Sequence, residues 1–202
     1  LYIFESMLWK EPDMSRRHHE FLKNCLCELN ASLEAIGQKL IIKRGNAVDV
    51  LESIHKRHQI QSLWSHQETW NGWTYARDKV VNHWCHKRNI PWHQPTQNGV
   101  IRCLSDRNGW STKWYARMKK PLIEAPKTLQ NIEESSESLP VADELGLAVD
   151  PFTVLQKGGR LAGLELLSNF LHERGECYSK EMSSPVTAFD SCSRLSAHLA
   201  FG

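Results

Sequence analysis

A chain of 202 residues is long enough for one large domain, or for one domain and part of another. With 41% hydrophobic and 24% charged residues it has the make-up of an ordinary globular protein, and its apolar runs are too short to span a membrane. The net charge of +2 hides an uneven spread: residues 124–150 hold seven acids and one lysine, a net of −6 that leaves +8 for the rest.

The first hundred residues alternate strands and helices. Leu1–Glu5 is an apolar strand rich in aromatic and β-branched side chains. Ser15 to Ile36 reads as a helix, with Phe21/Leu22, Cys25/Leu26, Leu29, Leu33 and Ile36 at three- and four-residue spacing, and Gly37 ends it. Leu40–Lys43 is a second short strand. Asn46 caps a helix that has Asp49 at its third position and Val50, Leu51 and Ile54 as its buried stripe. Ser62–His66 is a third strand, Thr74–Lys87 a helix using Val80, Val81 and Trp84, and Ile90–His93 a fourth strand. Single helices between short strands mean right-handed crossovers and a parallel sheet covered on both faces. The fold class is therefore α/β, doubly wound.

Gly109–Leu122 forms a further helix with Trp110, Trp114, Met118 and Leu122 on one side. The acidic stretch 124–150 contains Pro126 and Pro140, lacks either period and reads as an exposed linker. Beyond Pro151-Phe152, Gly158-Gly159 precede a helix with Leu164, Leu167, Phe170 and Leu171 spaced for burial, so a helical domain starts near residue 151. The expected division is 1–123 as the α/β domain, 124–150 as the linker and 151–202 as the start of an all-α domain.

Several clusters could carry chemistry. Ser191–Ser196, S-C-S-R-L-S, opens an apolar run through Leu195 and Leu199. Hydroxyls, an arginine and helix-start N–H groups suit a diphosphate, while a merely capped helix would use the same serines. Gly158–Gly163 follows a linker instead of a strand and lacks the dinucleotide spacing, so it reads as a helix start. His83, Cys85 and His86 lie close on one helix but would need zinc ligands from elsewhere. The six cysteines show no framework spacing and read as reduced thiols, and a cytoplasmic location is expected. Arg102, Arg107, Lys113, Arg117, Lys119 and Lys120 form a basic cluster, read either as a solvated face or as a nucleic-acid contact.

Tyr178 followed by Ser193-Arg194-Leu195-Ser196 resembles the flavin-diphosphate segment of the DNA photolyase/cryptochrome family, which writes T-S-R-L-S after an upstream tyrosine. Cys192 stands in place of the threonine. The order of α/β domain, acidic linker and helical domain is similar to that family over essentially the whole chain, and L-W-S-H-Q-E-T-W-N-G-W-T-Y-A-R-D resembles its strand, acidic residue (Glu68) and Arg-Asp pair (Arg77, Asp78). For Arg77 and Asp78 the plain alternative is a pair of solvent-facing charges in a helix's first turn.

The resemblance implies a Rossmann-like sheet whose central first strand would precede Leu1. It also implies FAD held by Tyr178, Cys192, Ser193, Arg194, Leu195 and Ser196, with a folate- or deazaflavin-type antenna for which Glu68 is the candidate contact. The thiol of Cys192 is a poorer donor than the family's hydroxyl. The implied activity is that of a deoxyribodipyrimidine photolyase, a carbon–carbon lyase acting as a monomer on UV-damaged DNA. The alternatives are a cryptochrome-type photoreceptor and a nucleotide-binding α/β module without photochemistry.

The tryptophan relay of that family would lie beyond Gly202. The eight tryptophans between residues 9 and 114 are therefore expected to fill core or interface positions. Because Leu1 opens mid-strand and Gly202 ends at a helix, the chain is expected to be an inactive piece of a longer protein. Leu1–Glu5 should pair with Leu40–Lys43, and Ser62–His66 with Ile90–His93, either apart or joined out of family order.

Overall fold

The computed structural model describes residues 1–151 and 155–201; Phe152 and Gly202, used above to bound the helical domain, lie outside them. Strand β1 is Tyr2–Phe4 and β2 is Ile42–Arg44. Tyr2 N–H donates to the Ile41 carbonyl at 2.7 Å and Gly45 N–H to the Phe4 carbonyl at 3.0 Å. Numbering thus rises together on both strands, the order of a parallel pair. Strands β3 (Leu63–Trp64) and β4 (Trp92–His93) are parallel, with Leu63 opposite Trp92 and Trp64 opposite His93. Among the described residues the two pairs are separate two-stranded sheets, which is the pairing expected from the strand order.

The helices begin where side-chain oxygens can hold their first N–H groups. Ser15 caps α1 (Arg16–Glu34) through the His18 N–H, and Asn46 caps α2 (Ala47–His58) through the Val48 N–H. Helix α3 (Gly72–Lys87) starts two residues before the periodic pattern does, because Asn71 and Thr74 form a reciprocal capping box. Helix α4 spans Trp110–Met118, stopping four residues short of the expected Leu122, which is 98% exposed.

The chain packs into two compact units that do not follow chain order. One contains Ile3–Leu8 and Lys43–Lys127. Its core is Ala47 and Leu51 of α2, Val81, Trp84 and Cys85 of α3, and Ile90, with Ile3, Leu63 and Trp92 packed against it. Val80, expected in this core, points outward because its neighbour Val81 takes the inner position; one helical step of about 100° separates them. Trp64 and Trp70 are also largely exposed, against the expectation that the tryptophans are packed away. The Trp64 ring stacks on His93 at 4.0 Å on the outer face of the β3–β4 pair.

The other unit contains Leu1–Tyr2, Trp9–Ile42 and the chain from Thr128 onward. Here α1 buries His19, Phe21, Leu22 and Leu26, while Leu29 is exposed. The acidic stretch has no helix or strand, yet it does not hang loose. Leu129 N–H donates to the Ile36 carbonyl at 2.7 Å, Glu137 N–H to the Ile42 carbonyl at 2.9 Å, and His19 Nε2 lies 2.9 Å from the Pro140 carbonyl. Arg16 pairs with Asp143 at 2.7 Å and Arg17 with Asp150 at 2.9 Å, so its acids serve the basic start of α1.

Helix α5 (Arg160–His172) starts beside α1, where Glu28 Oε1 accepts from Leu161 N–H at 2.9 Å. Leu164 and Leu171, expected to be buried, are 45% and 66% exposed, and only Gly163 of this helix is buried. Short helices α6 (Tyr178–Glu181), α7 (Ala188–Ser191) and α8 (Ser196–Phe201) follow.

Candidate functional site

The segment Ser191–Ser196 is not the opening turn of one helix, as its serines suggest. Helix α7 ends at Ser191, Cys192 is extended, and Arg194 sits at φ 59° in the left-handed region before α8 begins at Ser196. A right-handed helix cannot run through that conformation. The result is a four-residue loop, Cys192–Leu195, between two short helices.

Side chains outside the motif set this loop's backbone. Arg174 reaches from the 3-10 turn Arg174–Cys177 and donates through Nη1 to the Cys192 carbonyl at 2.6 Å. Its Nη2 donates to the Leu166 carbonyl of α5 at 3.1 Å, and its Nε binds Asn169. Gln156 Nε2 donates to the Arg194 carbonyl at 2.7 Å. Two loop carbonyls are thereby turned away and satisfied. Among the described residues nothing accepts from the backbone N–H groups of Ser193, Arg194, Leu195 or Ser196. Successive unpaired N–H groups around a left-handed residue make a concave donor site for an anion.

The Arg194 guanidinium rests 4.0 Å from the Phe189 ring centroid. Ser191 is buried and bonds Glu181 and the Thr187 carbonyl, so it anchors α7 instead of facing the loop. Tyr178, 39% exposed, meets Phe170 edge-on at 5.8 Å and lines an open depression of about 420 Å³ together with Leu171, His172, Glu173 and Gly175. The structure thus gathers Cys192–Leu195 into one loop, with Ser196 opening the next helix, and sets Tyr178 beside a depression.

Sequence reading missed Arg174, Gln156 and His198. No period or motif marks the first two, since each acts on a backbone carbonyl distant in sequence. His198 packs edge-on to Phe21 at 5.0 Å, and its Nε2 is buried without a partner among the described residues. A Cβ on Gly163 would come within 3.0 Å of the same ring, so the glycine makes room for it.

In the other unit, Arg77 and Asp78 are not solvent-facing charges in a first turn. Asp78 is the seventh residue of α3 and is buried. Arg77 Nη1 binds Glu5 Oε2 at 3.2 Å, its Nη2 binds Asp78 Oδ1 at 3.1 Å, and Arg102 Nη2 binds Asp78 Oδ2 at 2.5 Å. Burial works against the Arg77 charge, but Asp78 and Glu5 together hold its pKa above the ordinary arginine value. Glu5 Oε1 also accepts from Ala47 N–H at 2.9 Å, so the network caps α2.

Glu68, the antenna candidate, stands beside this network. Its Oε1 accepts from the Thr69 and Trp70 N–H groups at 2.8 and 3.1 Å, and its Oε2 lies 4.0 Å from Arg77. Both oxygens are occupied by the loop and the arginine.

The DNA photolyase family profile matches residues 1–124, more than half of the sequence. The chain belongs to the DNA photolyase family. Its fold is similar to that of a bacterial class III photolyase from Agrobacterium tumefaciens (TM-score 0.72, 18% identity, 98% of this chain and 43% of that one). It is also similar to a Synechocystis cryptochrome (TM-score 0.77, 19% identity, 98% and 46%) and to an archaeal photolyase from Sulfolobus tokodaii crystallised with two FAD molecules (TM-score 0.59, 21% identity, 99% and 44%). The chain therefore spans less than half the length of these structures. No curated protein matches it. Among the described residues no helix is long and apolar enough to cross a membrane.

Proposed function

We propose that this chain is the antenna-domain half of a photolyase-type flavoprotein, and that the loop Cys192–Ser196 holds the diphosphate of FAD. The observation that carries the reading is the row of four loop N–H groups with no acceptor among the described residues, in the segment that resembles the family's flavin loop. The donor set fits the group: two negative phosphates match these N–H groups, the Ser193 and Ser196 hydroxyls, and the Arg194 guanidinium. Arg174 and Gln156 do positioning work by keeping the neighbouring carbonyls, which would repel phosphate oxygens, pointed elsewhere.

In this reading residues 1–123 are the α/β antenna domain, 124–150 the connection and 151–202 the opening of the FAD domain. Tyr178 flanks the phosphate side, and Glu68 is a contact for a folate- or deazaflavin-type antenna. Bound reduced FAD would supply the light-driven electron that splits a pyrimidine dimer in UV-damaged DNA. This chain's own residues contribute cofactor binding and orientation, and none of them is assigned a chemical step. The fold is as similar to a cryptochrome as to photolyases, so a light sensor without repair is the second reading.

The test uses a photolyase-length protein carrying this chain. Replacing Arg194 and Ser196 together with alanine should lower its flavin stoichiometry, and Cys192→Thr should leave binding equal or tighter, since a hydroxyl donates better than a thiol. Unchanged flavin in the double variant would remove the loop from the site. Blue-light loss of dimers from UV-treated DNA supports repair; full flavin with every dimer intact supports the sensor.

A further inference from the structure

We propose that α4 and its flanks, Arg107–Lys120, form a nucleic-acid backbone contact of their own, reading phosphate charge and no base sequence. Residues 98–120 hold six basic side chains against one acid, Asp106. Arg102 is spent on Asp78. Arg107, Lys113, Lys119 and Lys120 have no carboxylate within ion-pair distance among the described residues, and all four are exposed. Arg117 Nη1 is buried with no hydrogen-bond partner among them. Arg16, Arg17, Arg77 and Arg88, by contrast, are paired with acids.

The scaffold beneath the charges is stiff. Trp110 and Trp114 stack at 6.4 Å, Trp110 Nε1 donates to the Gly99 carbonyl at 2.8 Å, and a Cβ on Gly99 would stand 3.1 Å from Trp114. Both indoles spend their faces on each other and on Gly99, so they support the helix instead of offering a stacking platform for bases. That leaves positive charges on and on either side of a helix about 14 Å long, which suits a duplex carrying one negative charge per about 1.7 Å of its axis. An acidic protein surface would present fewer charges over that length.

The surface does not rest on the flavin reading, and its test needs neither flavin nor light. Binding of the full chain to an undamaged duplex is titrated against salt. Each phosphate contact contributes about 0.9 to the slope of log affinity on log salt, so Lys113→Ala/Lys119→Ala/Lys120→Ala should lower the slope by about 2–3. The triple Lys→Arg variant should keep the slope, and a Lys10→Ala/Lys39→Ala/Lys87→Ala control should change it by less than about 1. Three results would overturn the proposal: no measurable binding by the parent chain, equal loss in the control, or loss of binding to an acidic protein with duplex binding intact.

Discussion

Asp78 shows how much one side chain can hold in this molecule. Its two oxygens face two different arginines, and Arg77 in turn reaches Glu5, which holds the first N–H of α2. Removing the carboxylate leaves both guanidiniums short of a partner, and a buried pair broken from one side typically costs about 3–5 kcal/mol. Because Arg77 and Arg102 keep some solvent contact, Asp78→Ala should cost nearer 2–3 kcal/mol, read as a lower urea midpoint. Glu68→Ala should cost less than about 1 kcal/mol, since it serves two loop N–H groups near the surface and stands 4.0 Å from Arg77. Equal losses for the two variants would show that the network is not centred on Asp78. Glu52 makes a second residue-scale case. Its carboxylate accepts from Trp84 Nε1 at 2.9 Å and pairs with Arg88 and Lys56, and these contacts, the indole first, hold its pKa below the ordinary 4.5. A depressed carboxylate stabilises the fold fully above its unfolded value and loses that contribution as pH falls through the folded one. Trp84 should therefore report a transition from about pH 4.5 downward. Glu52→Gln should abolish that pH dependence of the Trp84 signal, read as the difference in tryptophan fluorescence between each protein and its Trp84→Phe counterpart.

At the scale of elements, the join between α1 and α5 explains the glycine pair Gly158-Gly159. Helix α5 has no side-chain cap of its own; Glu28 of α1 supplies one, its Oε1 accepting from Leu161 N–H at 2.9 Å, and Cys25 Sγ accepts from Gly159 N–H at 3.2 Å. Burial raises the Cys25 thiol pKa, although the Gly159 bond works the other way. A Cβ on Gly158 would stand 2.2 Å from the Phe21 carbonyl, and Gly159 has φ 104°. Glu28→Ala should lose about 1 kcal/mol, the usual worth of a cap, whereas Gly158→Ala should lose about 3 kcal/mol because neither the helix backbone nor the loop can yield cheaply. Thermal unfolding with a larger loss for Glu28→Ala would mean the cap, and not the close approach, holds the joint. The same joint shows what a sequence can reveal. Caps at Ser15 and Asn46 are legible because the polar residue and the helix it serves are adjacent, and the β-α alternation is legible because its periods are local. The Glu28 cap and the Arg174 clamp on Cys192 cross from one element to another, and no spacing rule reaches them. Val80 and Val81 carry the same apolar signal, so periodicity alone could not choose which one faces inward. The likeness of Cys192–Ser196 to a flavin-diphosphate motif was legible, but the left-handed break at Arg194 was not, since side chains other than those of asparagine and aspartate argue against that conformation.

On the scale of the whole molecule, both units leave large apolar side chains exposed, Trp64, Leu122 and Ile123 among them in the unit with α2 and α3. The unit containing α2 and α3 closes its core around Trp84 and Leu51. The unit containing α1 and α5 leaves Leu161, Leu171, Val186 and Leu199 between 66% and 80% exposed, with Phe189 at 56%. Large apolar side chains left this exposed favour association, because covering such a face removes it from water. Each buried leucine or valine stabilises by about 1.5–3 kcal/mol relative to exposure, so several together outweigh the entropy of weak association. The chain by itself should therefore self-associate: sedimentation velocity should show a weight-average coefficient that rises with concentration, and a hydrophobic dye should fluoresce on binding. Leu161→Glu, Leu171→Glu and Leu199→Glu together should suppress both signals without changing the helix content, because none of the three is in a core. A parent chain that stays monomeric and dye-dark at high concentration would mean that its own segments cover this face in solution.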